Sequence, residues 1–385
     1  MKEDKTVPQL RFPEFTDAWK QRKLSESAKF SKGNGYSKSD VTTKGIPLVL
    51  YGRLYTNYET VISNIDTYSE LENEGSVVSK GGEIIVPASG ETAEDISRAS
   101  VIKDSGVLIG GDLNIICPSN DIIPSFLALT ITYGNVHKEM TKLAQGKTVV
   151  HLHNSDLYKI RFFVPSYNEQ LRITALFSNI ESTITLQQRK LNSLQKLKKG
   201  LFQKMFPKNG ENIPEIRFPE FSDAWKQRKV KELCSISTGK SNTQDKIDDG
   251  EYPFYVRSPI VEHSNKYLFD EEAVLTVGDG VGTGKVFHYV NGKYDLHQRC
   301  YRMFAFKEDL RAKYFYYIFS KLFYKRVMAM TAKTSVDSVR LEMISEMSIP
   351  VPSVAEQLKI ESLLSELDNF ITLQQRWLFY THKQS

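Results

Sequence analysis

Cysteine is scarce in this sequence: there are three in 385 residues, Cys117, Cys234 and Cys300. An odd number spread this widely argues against a disulfide framework and favours a reducing compartment. No run of about 18 apolar residues occurs, so no membrane-spanning helix is predicted. The opening stretch, MKEDKTVPQLRF, has no apolar core of a signal peptide. We therefore expect a soluble, cytoplasmic protein.

A large charge of one sign is also missing. Lys and Arg number 51 against 46 Asp and Glu, a net charge of +5, which permits an anionic partner without demanding one. Hydrophobic residues make up 40% and aromatic residues 11%, which is enough for sizeable cores and excludes global disorder. At roughly 100–200 residues per domain, the length predicts two or three domains.

Two segments of the sequence occur twice. PQLRFPEFTDAWKQRKL at 8–24 returns as PEIRFPEFSDAWKQRKV at 214–230, with 13 of 17 positions identical at an offset of 206. VPSYNEQLRITALFSNIESTITLQQRKL at 164–191 returns as VPSVAEQLKIESLLSELDNFITLQQRWL at 351–378, at an offset of 187. The inserts between them, 25–163 and 231–350, are poorly alike. Drift after duplication would blur all parts about equally, so this pattern favours a fixed scaffold that presents two different recognition units.

The second repeated segment has the pattern of a long helix. Pro165 and Ser166 precede it and Glu169 and Gln170 lie in its first turn, which is a helix start signal. Apolar residues then recur with the alternating 3–4 spacing of a coiled coil. A helix over 167–206 would be about 60 Å long at ~1.5 Å per residue. The predicted seam residues are Ile173, Phe177, Ile180, Ile184, Gln187 and Leu191, and in the second copy Ile360, Leu364, Leu367, Ile371, Gln374 and Leu378.

The two helices are predicted to pair with each other in antiparallel fashion, because the long insert between them lets the chain return. Gln187 and Gln374 share one seam position. Either this polar pair fixes the register at a cost in stability, or the seam is interrupted there and both glutamines are exposed. The second copy ends in WLFYTHKQS and is shorter by about two heptads. Residues 189–208 carry seven basic and no acidic side chains, which suits either a solvated face or a phosphate-facing stripe.

The inserts are predicted to be β-rich within mixed α+β domains. VISNIDTY, GGEIIVPAS, GVLIGGDLNIICPS and EAVLTVGDG are short, rich in β-branched residues and bounded by turn formers. Aromatic, basic and amide side chains alternate in both inserts. Arg grips guanine bidentately, Gln and Asn grip adenine, and Lys, Ser and Thr hold phosphates. For any one residue an ordinary surface role is the simpler interpretation. The candidate DNA-binding residues are Tyr51, Arg53, Tyr55, Ser89, Lys147, Thr148, Arg257, Ser258, Lys285, His297, Gln298, Arg299, Lys333 and Thr334.

Motifs for catalysis are weak. GDGVGTGK at 278–285 departs from a phosphate-binding P-loop at Asp279 and Val286, and the strand-like KVFHYV follows it where a dinucleotide site needs a helix. A Gly-rich hairpin turn is the better interpretation. His151-x-His153 and His297-x-x-Cys300 lack a second pair of metal ligands at a usable spacing. We predict no catalytic residue, no metal site and no cofactor bound by this chain.

RFPEF…DAW…K at the start of each half, EQ-x-x-I at the start of each long helix, ITLQQRK, and KKGLFQKMF at the end of the first helix resemble one known family. They are similar to the specificity (S) subunits of bacterial Type I restriction–modification enzymes. The resemblance covers nearly the whole chain and is specific in the repeated segments. The inserts match only in general pattern, with YGRLYTNYET at 51–60 similar to a segment seen in many such recognition domains.

The resemblance implies two target recognition domains, each reading one half of a bipartite, asymmetric site in double-stranded DNA. The helices would act as a ruler and dock two modification subunits, which carry S-adenosylmethionine and methylate adenine. Restriction subunits would add ATP- and Mg-dependent translocation and cleavage. The S subunit itself would be non-catalytic and would bind no cofactor. The shorter second helix motivates the alternative, a protein–protein scaffold or a truncated, partly active specificity subunit.

The predicted fold is thus α+β, with two mixed α/β recognition domains separated by two long helices in an antiparallel coiled coil, as a pseudo-two-fold internal repeat. The predicted segments are 1–163 for the first recognition domain, 164–210 for the central long helix, 211–349 for the second recognition domain, and 350–385 for the shortened distal helix.

Overall fold

The computed structural model describes residues 7–70, 74–144, 149–208, 211–280, 282–330 and 338–383. The chain divides into two compact units, Met1–Ile184 (unit 1) and Thr185–Ser385 (unit 2). The division falls inside a long helix, so each unit contains one insert and part of that helix. Both units mix helices with sheets, which confirms the predicted α+β class.

Unit 1 is built on a five-stranded sheet in the order β2-β10-β6-β8-β4. Smaller sheets add β5-β3-β9, β1-β12 and β7-β11. Its strands are β1 (Lys20–Lys23), β2 (Ala28–Lys32), β3 (Ile46–Val49), β4 (Val61–Ile62), β5 (Tyr68–Ser69), β6 (Ile84–Pro87), β7 (Ser89–Gly90), β8 (Ser100–Ile102), β9 (Leu108–Ile109), β10 (Leu113–Pro118), β11 (Val150–His151) and β12 (Arg161–Val164). Its helices are α1 (Leu24–Ser27), α2 (Arg53–Thr56), α3 (Ala93–Ile96), α4 (Pro124–Tyr133), α5 (Asn135–Leu143), α6 (Asn154–Leu157) and the start of α7 (Tyr167–Lys204).

Unit 2 is built on a six-stranded sheet in the order β14-β19-β17-β18-β15-β16, beside the pair β13-β20. Its strands are β13 (Lys226–Lys229), β14 (Ser235–Thr238), β15 (Tyr252–Tyr255), β16 (Val261–Ser264), β17 (Phe269–Val277), β18 (Phe287–Leu296), β19 (Cys300–Phe304) and β20 (Ser348–Val351). Its helices are the end of α7, α8 (Val230–Leu233), α9 (Ala312–Met330), α10 (Leu341–Ser345) and α11 (Val354–Lys383). One-turn 3₁₀ helices cover Lys38–Asp40 in unit 1 and Thr243–Asp245 in unit 2.

The two repeated sequence segments pair with each other within each unit. In unit 1, β1 lies antiparallel to β12 with Lys20 opposite Val164. In unit 2, β13 lies antiparallel to β20 with Lys226 opposite Val351. Each insert therefore leaves from one strand of this pair and returns to the other, and its length can change without moving either strand. This explains why the two repeated segments recur at different offsets, 206 and 187 residues.

A buried ion pair joins the two repeated segments in each unit. Arg11 Nε contacts Glu169 Oε1 at 2.7 Å in unit 1, and Arg217 Nε contacts Glu356 Oε1 at 2.7 Å in unit 2. The side chains of Glu169 and Glu356 are each 1% exposed. Hydrogen bonding to the carboxylate raises the pKa of each arginine. The RFPEF and EQ motifs thus form one structural clamp, made twice.

The glutamine of each EQ motif ties the start of its long helix to the recognition domain. Gln170 Oε1 accepts from the amide of Ile123 at 2.9 Å, and Gln357 Oε1 accepts from the amide of Arg311 at 2.9 Å. The first long helix begins at Tyr167, as the sequence predicts, and Ser166 Oγ accepts the amide of Glu169 at 3.3 Å as an N-terminal cap. Observed α7 covers nearly all of the predicted 167–206.

Each unit has its own apolar cores, which hold the edges of its sheets in place. The largest core of unit 1 packs β6 and β10 against α4 and α5, with Ile84, Ile116 and Leu127 fully buried. That of unit 2 packs α9 on β17 and β19 and also buries Phe206 and Trp225. Cys117, Cys234 and Cys300 are free, and burial raises the pKa of Cys234 and Cys300 to about 12. Within the described ranges, no helix is long and apolar enough to cross a membrane.

Candidate nucleic-acid interface

The end of β17 in unit 2 is held by two backbone hydrogen bonds. The amide of Gly278 donates to the carbonyl of Arg299 at 2.8 Å, and the amide of Val339 donates to the carbonyl of Gly278 at 2.7 Å. Asp279, the next residue, forms an antiparallel bridge with Ser338. Three chain segments therefore meet at this strand end.

The end of β6 in unit 1 has the same arrangement. The amide of Ala88 donates to the carbonyl of Asp112 at 2.9 Å, and the amide of Leu152 donates to the carbonyl of Ala88 at 3.0 Å. Ser89, the next residue, pairs with His151 in β7 and β11. The two inserts, which align poorly as sequences, thus build the same backbone junction.

A third hydrogen bond extends the equivalence to a neighbouring strand. The amide of His297 donates to the carbonyl of Tyr255 at 3.0 Å, and the amide of Gly110 donates to the carbonyl of Val49 at 3.0 Å. We use these matched bonds to align the two junctions. The equivalent pairs are Tyr51 and Arg257, Ser89 and Asp279, Gly110 and His297, Gly111 and Gln298, and Asp112 and Arg299.

The unit 2 junction is charged. Arg257 Nη1 lies 3.4 Å from Asp279 Oδ1, and Arg299 Nη1 lies 3.4 Å from Asp279 Oδ2. The side chains of Arg257 and Arg299 are 48% and 64% exposed, while that of Asp279 is 20% exposed. Each guanidinium has five N–H donors, so both keep donors free for a ligand that is rich in acceptors. We name Arg257, Asp279 and Arg299 the unit 2 charge cluster.

His297 and Gln298, which precede Arg299, form hydrogen bonds behind the charge cluster. His297 is buried, and its Nδ1 accepts the amide of Arg299 at 3.0 Å while Nε2 lies 3.3 Å from Thr243 Oγ1. Burial, and next the charge of Arg257, lower the pKa of His297, so the imidazole is neutral near pH 7. Gln298 Nε2 donates to Asn242 Oδ1. These bonds order the backbone that carries Arg299.

Two further candidates of unit 2, Ser258 and Lys285, have contacts other than the charge cluster. Lys285 Nζ lies 5.0 Å from the ring centre of Tyr324, a cation–π geometry. Ser258 Oγ donates to the carbonyl of Ile260 at 3.1 Å. Lys285 precedes β18 at the end of the Gly-rich string. The strands on either side of that string, β17 and β18, pair antiparallel, as the predicted hairpin requires.

The unit 1 junction is aromatic and polar. Tyr51 is 40% exposed, and its ring lies 5.9 Å from that of Tyr55 in an edge-to-face arrangement. Tyr55 donates its hydroxyl to the carbonyl of Ser89 at 2.8 Å, and burial raises the pKa of this phenol. His151 and His153 lie parallel with ring centres 6.3 Å apart. The structure therefore brings Tyr51, Tyr55 and Ser89 together, as it brings Arg257, His297 and Arg299 together in unit 2.

Arg53 forms ion pairs within unit 1. Its Nη2 contacts Glu59 Oε2 at 2.8 Å, its Nη1 contacts Asp66 Oδ1 at 2.9 Å, and its side chain is 9% exposed. Nη2 also donates to the carbonyl of Asn64 at 2.6 Å. The guanidinium holds the loop after α2 to its neighbours, and its contact with DNA stays a prediction. Lys147, Thr148, Lys333 and Thr334 lie outside the described residues.

The two long helices contact each other within unit 2. Gln374 Nε2 donates to Gln187 Oε1 at 2.7 Å, and Lys198 forms an ion pair with Asp368. Going up in number along α7 means going down along α11, as antiparallel helices require. Of the predicted seam residues, Leu191, Ile360, Leu364, Leu367 and Leu378 are buried, Ile173, Ile184, Gln187, Ile371 and Gln374 are half-buried, and Phe177 and Ile180 are exposed.

Sequence reasoning missed Asp279 as a member of the charge cluster. In the sequence, Asp279 stands out only as a departure from the P-loop pattern. Asn242 and Thr243, which contact Gln298 and His297, were missed as well. Their only signal was their polarity in a turn. Among the described residues, no group of three or more His, Cys, Asp or Glu side chains is placed to hold a metal ion.

Comparison with known proteins gives one family. The sequence model described as "Type I restriction modification DNA specificity domain" matches residues 16–196 and 222–378. The EcoDI specificity subunit of a Type I restriction enzyme of Escherichia coli is 28% identical over 149 residues, which cover 38% of this chain and 32% of that protein. The MjaVIII specificity subunit of Methanocaldococcus jannaschii is 25% identical over 266 residues, 62% of each chain. The matches thus span less than two thirds of either relative.

Solved structures share the fold over nearly the full length. The S subunit of a Type-I restriction-modification system from M. genitalium superposes with a TM-score of 0.66 at 14% identity, covering 97% of this chain and 95% of that one. A chain from a structural study of complex assembly and conformational transition in the type I R-M system superposes with a TM-score of 0.53 at 16% identity, covering 98% and 96%. At these identities the likeness concerns the fold alone.

Proposed function

This chain belongs to the Type I restriction modification DNA specificity family, and we propose that its two units each recognise one half of a bipartite, asymmetric site in double-stranded DNA. The observation that carries this proposal is the matched backbone junction with unlike side chains. Arg257, Asp279 and Arg299 in unit 2 replace Tyr51, Ser89 and Asp112 in unit 1. A common scaffold with different donors and acceptors suits two different base sequences.

The two junctions differ in the kind of contact they offer. Arg257 and Arg299 present guanidinium donors that match the acceptor edge of guanine in the major groove. Tyr51 and Ser89 present an aromatic face and hydroxyl groups instead, and these add no net charge. We therefore expect unit 2 to contribute the larger part of the salt-dependent affinity.

The paired helices fit the role of a ruler between the half-sites. The hydrogen bond between Gln187 and Gln374 supports a single register for the pair. We propose that the helices also dock two modification subunits, and that restriction subunits join through these. Adenine methylation with S-adenosylmethionine, and ATP- and Mg-dependent cleavage, would then be carried out by the partner subunits, and this chain would act in the cytoplasm, where the DNA is.

The test is methylome sequencing of a host without other adenine methylation that expresses this chain with its cognate modification subunit. We expect N6-methyladenine on both strands of one gapped motif with two unlike halves. Arg299→Ala should relax the base preference in one half only, and Tyr51→Ala in the other half only. An assembled complex that produces no new methylation would overturn the proposal.

A second outcome would favour the alternative function. Methylation of a single half-site, or of its palindromic double, would indicate a partly active specificity subunit in which one unit no longer reads DNA. Size-exclusion chromatography with light scattering on the same complex separates this case from failed assembly. A complex of normal stoichiometry with a half-site motif assigns the defect to recognition.

A further inference from the structure

Asp279 is an acidic residue in a surface that we propose to bind a polyanion. Its two carboxylate oxygens are divided between two arginines, Oδ1 facing Arg257 and Oδ2 facing Arg299, both at 3.4 Å. Arg257 follows β15, Asp279 follows β17, and Arg299 precedes β19. One carboxylate therefore joins side chains from three different strand ends.

The fold does not need this carboxylate. Unit 1 builds the same junction with Ser89 at the equivalent position, and its backbone bonds match those of unit 2 within a few tenths of an ångström. The residues equivalent to the two arginines are Tyr51 and Asp112, so the charge cluster is a property of unit 2 alone. A side chain that the scaffold does not require, placed between two exposed cations, calls for a functional account.

The charges give one. Without Asp279, two guanidinium groups would face each other across the gap and would repel. With it, each arginine is held through one nitrogen and keeps further N–H donors free, so less side-chain entropy is lost when it meets a base edge. The same carboxylate repels phosphates, so it lowers the electrostatic affinity for DNA of any sequence.

We propose that Asp279 is a positioning residue that orients Arg257 and Arg299 for base recognition in the unit 2 half-site and weakens binding to unrelated DNA. The inference rests on the proposed function and deepens it. It assigns the discrimination between specific and non-specific duplexes to a residue that itself makes no required contact with DNA.

The experiment uses the full chain in complex with its modification subunit. The two probes are a duplex carrying the site selected by the wild-type complex from a randomised pool, and a scrambled duplex of the same length and composition. The variants are Asp279→Asn, which keeps the shape, and Asp279→Ser, which installs the residue of unit 1. Glu308→Gln is the matched control, because it removes one exposed acidic charge beyond the other end of β19.

We expect both Asp279 variants to bind the selected duplex about five- to tenfold more weakly, on the scale of one good base contact. They should bind the scrambled duplex as tightly as the wild type or about two- to threefold more tightly, because a repulsive charge is gone. Glu308→Gln should leave the ratio of the two affinities unchanged. In an Arg257→Ala, Arg299→Ala background, Asp279→Asn should no longer change that ratio.

The inference is overturned if both variants keep the wild-type ratio of affinities for the selected and scrambled duplexes. This includes an equal loss on both duplexes, since that pattern indicates a structural role only. Circular dichroism and the stoichiometry of the complex report misfolding separately, and Asp279→Ser offers the variant that unit 1 shows to be compatible with the backbone. If the wild-type complex prefers the selected duplex and the Asp279 variants keep the same affinity ratio, only this inference is refuted. A wild-type complex without any preference refutes the proposed function together with it.

Discussion

The side-chain amide of Gln374 donates a hydrogen bond of 2.7 Å to the side-chain oxygen of Gln187. The two residues hold the same place in the repeated ITLQQR segment. In an antiparallel pair, the two copies of a repeated helix run in opposite directions. Equivalent residues of the two copies can therefore face each other at one position only, the centre of the pairing. The pair therefore marks that point, and any shift by one heptad would separate the two amides. This favours the register-setting interpretation over an interrupted seam.

Replacing one glutamine should cost more stability than replacing both. Gln374→Leu leaves Gln187 half-buried without its partner, and we expect a loss of about 1 kcal/mol in the free energy of unfolding. The double variant Gln187→Leu, Gln374→Leu should be as stable as the wild type or more stable, since an apolar pair fills the seam. Guanidinium denaturation followed by far-ultraviolet circular dichroism measures this. Gln375→Leu, on the exposed face, is the control, and equal losses in single and double variants would refute the account.

Removing the charge of Glu356 should loosen the clamp of unit 2. Glu356 is 1% exposed and receives Arg217 through two nitrogens, at 2.7 and 2.8 Å. Glu356→Gln leaves that guanidinium without a counter-charge, and we expect a loss of about 3 kcal/mol in unit 2 stability. Hydrogen-exchange mass spectrometry should show lost protection in β13 and β20, while β1 and β12 keep theirs.

The exposed Glu366→Gln is the control for the clamp, because it removes the same charge from the same helix. Glu169→Gln should give the mirror result, with lost protection in β1 and β12. If Glu356→Gln lowered protection in both units alike, the two clamps would not be independent.

Lys321 gives a pH dependence that can be isolated. Its Nζ donates to the carbonyls of Gln203 and Phe206 at 2.9 and 3.2 Å, which caps the end of α7. Desolvation lowers the pKa of Lys321 to about 8, from an ordinary value of 10.5. The unfolded chain then holds this proton more tightly than the folded chain does. The contribution of Lys321 to stability is therefore constant below pH 8 and rises as the pH increases from about 8 to 10.5.

The measurement is the difference in unfolding free energy between the wild type and Lys321→Met across pH 7–11. Other groups, including tyrosines whose burial raises their pKa, titrate in the same way in both proteins and cancel. We expect the unfolding free energy of the wild type minus that of Lys321→Met to increase as the pH rises from about 8 to 10.5. A difference that shrinks with rising pH, or stays constant, would contradict the assigned desolvation.

Two glycines should respond to alanine in opposite directions. A Cβ at Gly239 would lie 2.1 Å from the carbonyl oxygen of Leu296, which belongs to the backbone and cannot move aside cheaply. We expect Gly239→Ala to cost about 1–3 kcal/mol, as overpacking does. Gly200 lies within α7 with nothing within 4 Å of a new Cβ, so Gly200→Ala should stabilise the protein by about 0.5–1 kcal/mol.

Thermal unfolding of the two variants side by side checks this prediction. Gly33→Ala is the equivalent change in unit 1, where the new Cβ would meet the carbonyl oxygen of Gly110 at 2.0 Å. It should be destabilising as well, because in both cases the new Cβ would meet a backbone carbonyl oxygen. A neutral Gly239→Ala would mean that the chain after β14 can move away from Leu296 at little cost.

The sequence by itself determined the repeat, the long helices and the general class of the fold. These depend on residues that are close together along the chain. Three local patterns of the sequence carry this information: the capping Ser166, the heptads after Glu169 and the identity of the repeated segments. The observed α7 accordingly spans Tyr167–Lys204, within two residues of the predicted end. The strand-like strings of the inserts also became strands, since alternation and turn formers act locally.

Only the tertiary structure decided which polar side chains meet. Arg53 and Arg257 each follow a short apolar and aromatic stretch of the sequence, yet Arg53 is enclosed by Glu59 and Asp66 while the exposed Arg257 contacts the partly buried Asp279. The difference arises because strand pairing places β15, β17 and β19 side by side regardless of their separation along the chain. Spacing in sequence carries no information about that pairing. The charge cluster, and the matched junction that shows the scaffold does not need it, therefore became visible only in three dimensions.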